Sequence, residues 1–76
     1  PRDARPGVAI EQAGPNAVTV KLDAPAYLYF VHILLTSETA IASDNYFDMA
    51  AGETRVVTIE DNVHPLRAED IVVRSL

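Results

Sequence analysis

Two histidines, His32 and His64, and eleven acidic side chains are the groups of this 76-residue chain that could perform acid–base or metal chemistry. Zinc is held by Cys, His and carboxylate donors, and with no cysteine present a site would need carboxylates arriving from elsewhere. His32 alternates with Phe30 and Leu34 and reads as a strand residue hydrogen-bonded at a protein interface. His64, directly before Pro65, reads as a solvated loop residue. Asp44, Asn45 and Asp48 offer oxygen ligands, but a calcium loop of the EF-hand kind needs donors at alternate positions, then Gly and a distant Glu. Tyr46 stands where a ligand should be. Asx-turns, in which Asp and Asn side chains close onto nearby backbone N–H groups, account for this cluster more simply. No metal and no cofactor are expected.

Carboxylate pairs also drive glycoside hydrolysis, but they must flank a bond inside a cleft. Asp44, Asp48 and Glu53 lie on turns of a domain too small to enclose a substrate. Ser37, Ser43 and Ser75 lack a Gly-x-Ser-x-Gly context, and none of Asn16, Asn45 and Asn62 begins a glycosylation sequon. No catalytic residue is expected. Tyr27 and Tyr29 share one face of a strand at a spacing of about 7 Å, which could make a sugar-stacking platform. Their neighbours are aliphatic rather than polar, and this favours packing in a core or at an interface that includes Val31.

Composition narrows the partners. Six Lys and Arg against eleven Asp and Glu give a formal charge of -5, and the basic residues are scattered, so a basic face for nucleic acid is not expected. The longest apolar run, Ala26 to Leu35 with His32 inside it, is far short of the roughly 20 residues of a membrane-spanning helix. A single small domain without disulfides has a marginal core and must rely on packing or on a neighbour. Residues 1–6, with two prolines and no apolar core, read as a linker stub, and residues 7–76 as the domain.

The elements that would position these residues are strands. Val8 and Ile10, then Val18, Val20 and Leu22, alternate with polar or small residues and predict two half-buried strands joined by the turn Ala13-Gly14-Pro15-Asn16. Tyr27 to Leu35, aromatic and β-branched, predicts a central strand. It is apolar on both faces, which a half-solvated sheet does not require, so something is expected to cover the second face. Ala40-Ile41-Ala42 reads as a short strand and residues 43–49 as a compact mixed segment. Val57 and Ile59 then point inward from a further strand, and Ile71 to Leu76 closes the chain after a loop over residues 61–70. Short strands punctuated by turns about every 8 to 12 residues indicate a sandwich.

Residues 43–57, Ser-Asp-Asn-Tyr-Phe-Asp-Met-Ala-Ala-Gly-Glu-Thr-Arg-Val-Val, resemble the segment S-D-N-[YF]-F-D-L-x-P-G-E and the alternating strand after it in one family. That family is the C-terminal immunoglobulin-like domain of glycoside hydrolase family 2 β-mannosidases and related exo-β-glucosaminidases. The similarity covers most of residues 8 to 76. Met49 replaces the usual Leu, a swap of similar volume, and Ala51 replaces the usual Pro, which leaves the turn before Gly52 less rigid. In such enzymes the catalytic glutamates sit in a separate TIM barrel, so the resemblance implies a context and not an active site. The motif Ser43, Asp44, Asn45, Tyr46, Phe47, Asp48, Gly52 and Glu53 then makes sense as a corner. Asp44 and Asn45 would bond the turn backbone, Tyr46 or Phe47 would plug the end of the sandwich, and Asp48 would tie down the next strand.

The reading is therefore an all-β, antiparallel immunoglobulin-like sandwich, non-catalytic, packing on the other domains of a parent that hydrolyses terminal β-mannosides. Weak self-association of the excised domain is also expected. The rival is an autonomous carbohydrate-binding or adhesion module. On the central strand, Leu28, Phe30 and Leu34 are expected inward and Tyr27 and Tyr29 outward.

Overall fold

In the computed structural model, which describes residues 5–35 and 37–76, the period-two stretches become antiparallel strands. Among the described residues, β1 (Gly7–Gly14), β2 (Ala17–Asp23), β4 (Ala40–Ala42) and β6 (Thr54–Asp61) form a four-stranded sheet in the order β1-β2-β6-β4. β3 (Leu28–Leu34), β5 (Phe47–Met49) and β7 (Val72–Arg74) form a three-stranded sheet in the order β5-β3-β7. From β2 onward the chain changes sheet at every connection, so each loop closes one end of a two-layer stack. The larger sheet sets the returning β6 between β2 and β4. The fold is the small antiparallel sandwich that the alternation predicts, of the immunoglobulin-like kind that the resemblance implies.

The core lies between the sheets. Val18, Val20 and Leu22 of β2 and Val57 and Ile59 of β6 face Leu28, Val31 and Ile33 of β3 and Met49 of β5, all essentially without solvent contact. Leu66 and Ile71, from the loop before β7, close one side. Burying an aliphatic side chain of this size contributes roughly 1.5–3 kcal/mol. This layer therefore holds the sandwich together in the absence of any disulfide.

The central strand departs from simple alternation. A register shift between Leu28 and Val31 in the pairing of β3 with β5 inserts an extra residue, and Phe30 takes a left-handed backbone, φ 49°. Such a bulge re-aims every side chain after it. Leu28 therefore faces inward, as expected, but the inward positions that follow are Val31 and Ile33. Phe30 and Leu34, expected inward, are 44% and 38% exposed. Val31, expected with the tyrosines at an interface, is fully buried. A bulge leaves no trace in a run that, His32 apart, carries apolar or aromatic residues on both faces, which is why strict period two misassigns these three residues.

The first strand also differs from its expectation of half-burial. β1 is the outer strand of the larger sheet, and the smaller sheet covers mainly the strands inside it, so Val8 is 45% exposed and Ile10 only partly covered. Gln12 secures this edge. Its amide donates to Gly14 O at 2.7 Å and to Leu66 O, and its Oε1 accepts Ala68 N–H at 3.1 Å, so it clasps the loop that carries the short 3-10 turn Ala68–Asp70.

Candidate functional site

The segment 43–53 crosses from β4 of one sheet to β5 of the other and returns to β6. Its polar side chains bind both layers. Ser43 pairs with Thr58 of β6, its N–H donating to Thr58 O at 2.8 Å and its Oγ accepting Thr58 N–H at 3.0 Å. Asn45 reaches the other sheet: Oδ1 accepts Ile33 N–H at 2.8 Å and Nδ2 donates to Ile33 O at 3.1 Å. Oδ1 also accepts Tyr46 N–H at 3.0 Å, the local Asx contact. Asn45 thus bonds a strand backbone as well as the turn.

Asp44 accepts Asn45 N–H and forms an ion pair with Arg55 at 3.0 Å. Arg55 in turn gives Nε and Nη2 to Glu53 Oε2 at 3.1 and 2.8 Å, and its guanidinium lies 4.2 Å from the centroid of the Phe47 ring. Phe47, half-buried against the core, is the aromatic residue that fills the corner. Tyr46 is 62% exposed, with φ 57°. Glu53 Oε1 accepts Ala50 N–H at 3.0 Å, and this bond, then the Arg55 guanidinium, holds its carboxyl below the ordinary carboxylate range. Ala50 O accepts Glu53 N–H at 3.0 Å around Gly52, whose φ of 84° is the left-handed value that the third position of a type II turn requires. Gly52 N–H also bonds Ala24 O at 2.8 Å, anchoring the turn to the end of β2.

Asp48 acts backward on β3 rather than on the next strand. Oδ1 accepts the N–H of the bulged Phe30 at 2.9 Å and Oδ2 accepts the Tyr27 hydroxyl at 3.3 Å. The Asp48 charge, with partial desolvation adding to it, raises the Tyr27 phenol above its ordinary value. Around this carboxylate the outer face of the smaller sheet is aromatic. Tyr27 and Tyr29 touch at 4.7 Å between centroids with a 53° tilt, and Phe30 lies 5.4 Å from both His32 and Tyr46. Tyr29 is 60% exposed. Leu34 and its partner Val72 on β7 extend the face with aliphatic surface. Non-glycine residues in the left-handed region cost of order 1–3 kcal/mol, and here two aromatic residues bear that cost side by side.

A second cluster has no counterpart in the sequence reading. Asp61 ends β6 with 1% of its surface exposed. Its Oδ2 accepts Ser37 Oγ–H at 2.6 Å, and its Oδ1 accepts Thr39 Oγ1–H at 2.7 Å, Val63 N–H at 2.9 Å and His64 N–H at 3.0 Å. Burial by itself raises this carboxyl, but the hydrogen bonds from Ser37, His64, Thr39 and Val63 prevail and hold it well below the usual range. His64 brings Nδ1 to 3.1 Å from Thr39 Oγ1 and 3.4 Å from Ser37 Oγ, so this histidine is not merely solvated. Ser, His and Asp meet here without forming a nucleophilic triad. In a triad the histidine stands between hydroxyl and carboxylate, using one ring nitrogen for each; here Ser37 bonds the carboxylate directly. The cluster is a corner that pins the 61–64 turn. Only the Asp61 to His64 spacing could have signalled it, as an Asx-turn.

No match was found among curated proteins or among solved structures. The family model of the mannosidase Ig-fold domain matches residues 4–76, which takes in the whole sandwich and the sheet-crossing segment. With this match and the two-sheet antiparallel sandwich in agreement, the chain belongs to the Ig-fold domain family of mannosidases.

Proposed function

We propose that this chain is a non-catalytic accessory domain of a longer β-mannosidase-like glycoside hydrolase of family 2, in which residues 1–6 are linker and residues 7–76 the sandwich. The parent would hydrolyse terminal β-mannosides through carboxylates of another domain. The role of the chain is to dock on its neighbours and stabilise the assembly. One observation carries this reading: the outer face of β3 exposes Tyr29, Phe30 and Leu34, together with Val72 from β7. An apolar patch of this kind marks an interaction surface, and tyrosine is among the residues enriched at protein interfaces.

The rival reading, an autonomous carbohydrate-binding module, draws on the Tyr27–Tyr29 pair. Their 53° tilt does not give the flat, open ring face that a pyranose stacks on. Two measurements test the proposal. The gene around this segment should encode a TIM barrel in the same reading frame, and the purified chain should release no aryl β-mannoside product. Turnover that disappears when Asp44, Asp48 or Glu53 is replaced would defeat the accessory role. A gene that encodes this domain alone would favour the free module.

A further inference from the structure

We propose that the surface centred on Asp48 receives an arginine side chain of the domain that docks on this face. The inference rests on the docking reading above and adds the chemistry of the partner. Asp48 is exposed and, among the described residues, makes no ion pair. Its two hydrogen bonds, from Phe30 N–H and the Tyr27 hydroxyl, leave carboxylate lone pairs open toward solvent. The two residues it bonds each belong to an aromatic cluster: Tyr27 packs on Tyr29, and Phe30 on His32 and Tyr46.

A guanidinium satisfies both features at once. It is planar and weakly hydrated, stacks on an aromatic face, and presents a fork of N–H donors to a carboxylate. An ammonium is compact and strongly hydrated, so it can meet a ring face but neither stacks on it nor forks onto the carboxylate. The chain contains the same arrangement in miniature, where Arg55 lies over Phe47 while bonding Glu53 and Asp44. The formal charge of -5 adds a long-range bias toward a cationic partner. A neutral sugar leaves the Asp48 charge without a counterion, and the tyrosine pair beside it, tilted by 53°, offers no flat platform; the parallel rings are His32 and Tyr46, at 7°.

The test uses the 76-residue chain, isotopically labelled, with amide shifts followed during titration by N-acetyl-arginine amide, N-acetyl-lysine amide, N-acetyl-leucine amide and mannobiose. Arginine should perturb the amides of residues 27–32 and Tyr46 at concentrations about fivefold lower than leucine, the ratio that a weak cation–π contact supplies, and lower than lysine, which lacks the planar fork. Asp48→Asn keeps an acceptor for Phe30 N–H and should abolish that preference. Tyr29→Ser, with Asp48 intact, should weaken arginine without altering the fold. Equal shifts by arginine and leucine would overturn the arginine inference and leave docking standing. Mannobiose acting alone on this face would overturn both, and absence of any arginine effect would overturn the inference.

Discussion

The amide of Asn45 bonds both backbone groups of Ile33, accepting its N–H at 2.8 Å and donating to its carbonyl at 3.1 Å. A side chain on the crossing segment thereby stands in for a neighbouring strand, at a stretch of β3 that β5 has already left. The Ser-Asp-Asn at 43–45 is explained by this geometry: Ser43 holds β6, Asp44 holds Arg55, and Asn45 holds β3.

Replacing Asn45 with Ala removes both bonds from a partly buried strand backbone and should destabilise the fold by about 1–3 kcal/mol. Asn45→Asp keeps the acceptor but sets a carboxylate oxygen against the Ile33 carbonyl, and should destabilise at least as much. Urea unfolding followed by circular dichroism checks this. An unchanged midpoint for Asn45→Ala would mean that the crossing segment is not what holds β3.

The two faces of β3 make a sharper contrast. Leu28→Ala opens a cavity in a closed core and should cost about 2–5 kcal/mol, whereas Leu34→Ala, at a position 38% exposed, should cost less than about 1 kcal/mol. Under the strictly alternating reading of this strand the two leucines would behave alike. Equal losses would therefore restore it.

This contrast also marks how far the sequence could be read. β2 and β6 were legible because polar residues, Thr19 and Lys21 or Thr58 and Glu60, interrupt their apolar ones and declare the inner face. β3 has only His32 as punctuation, so its bulge, whose Phe30 N–H is bonded by Asp48 from another strand, could not be seen. The Asp61 cluster was hidden for a related reason. Its donors, Ser37, Thr39, Val63 and His64, come from two loops that only the folded sandwich brings together. The motif at 43–53 could be recognised, but the strand each side chain binds is a property of the crossing between sheets.

Ala51 occupies the second position of the Ala50–Glu53 turn, where proline's fixed φ suits a type II turn. Its own N–H makes no backbone bond among the turn and loop contacts of the described residues. Ala51→Pro should stabilise the domain by about 0.4–1 kcal/mol, acting mainly by restricting the unfolded chain. A higher denaturation midpoint with an unchanged slope is the expected result. Destabilisation would show that residue 51 needs a backbone angle proline cannot take.

Asp61 predicts how stability responds to acid. Its folded carboxyl titrates well below the usual range, so the unfolded chain, near its ordinary value of about 3.9, binds the proton first as pH falls. Stability rises with pH wherever the unfolded state holds more protons. The Asp61 contribution is therefore complete above about pH 5 and declines as the medium is acidified through the unfolded value and on toward the folded one. Glu53, also lowered, adds to the same slope, so the comparison must isolate Asp61. In Asp61→Asn the amide nitrogen cannot accept the Ser37 hydroxyl, and the variant should melt at least several degrees lower at pH 7, roughly what one lost buried hydrogen bond produces in a domain this small. Below about pH 4 the two melting curves should begin to approach each other and go on narrowing as the pH falls toward the folded value, because the unfolded chain takes up the proton there while the native carboxylate still resists it. Melting temperatures measured from pH 2 to pH 7 decide the matter: curves that stay parallel throughout would show that the acid sensitivity arises elsewhere and that this buried carboxylate does not control it.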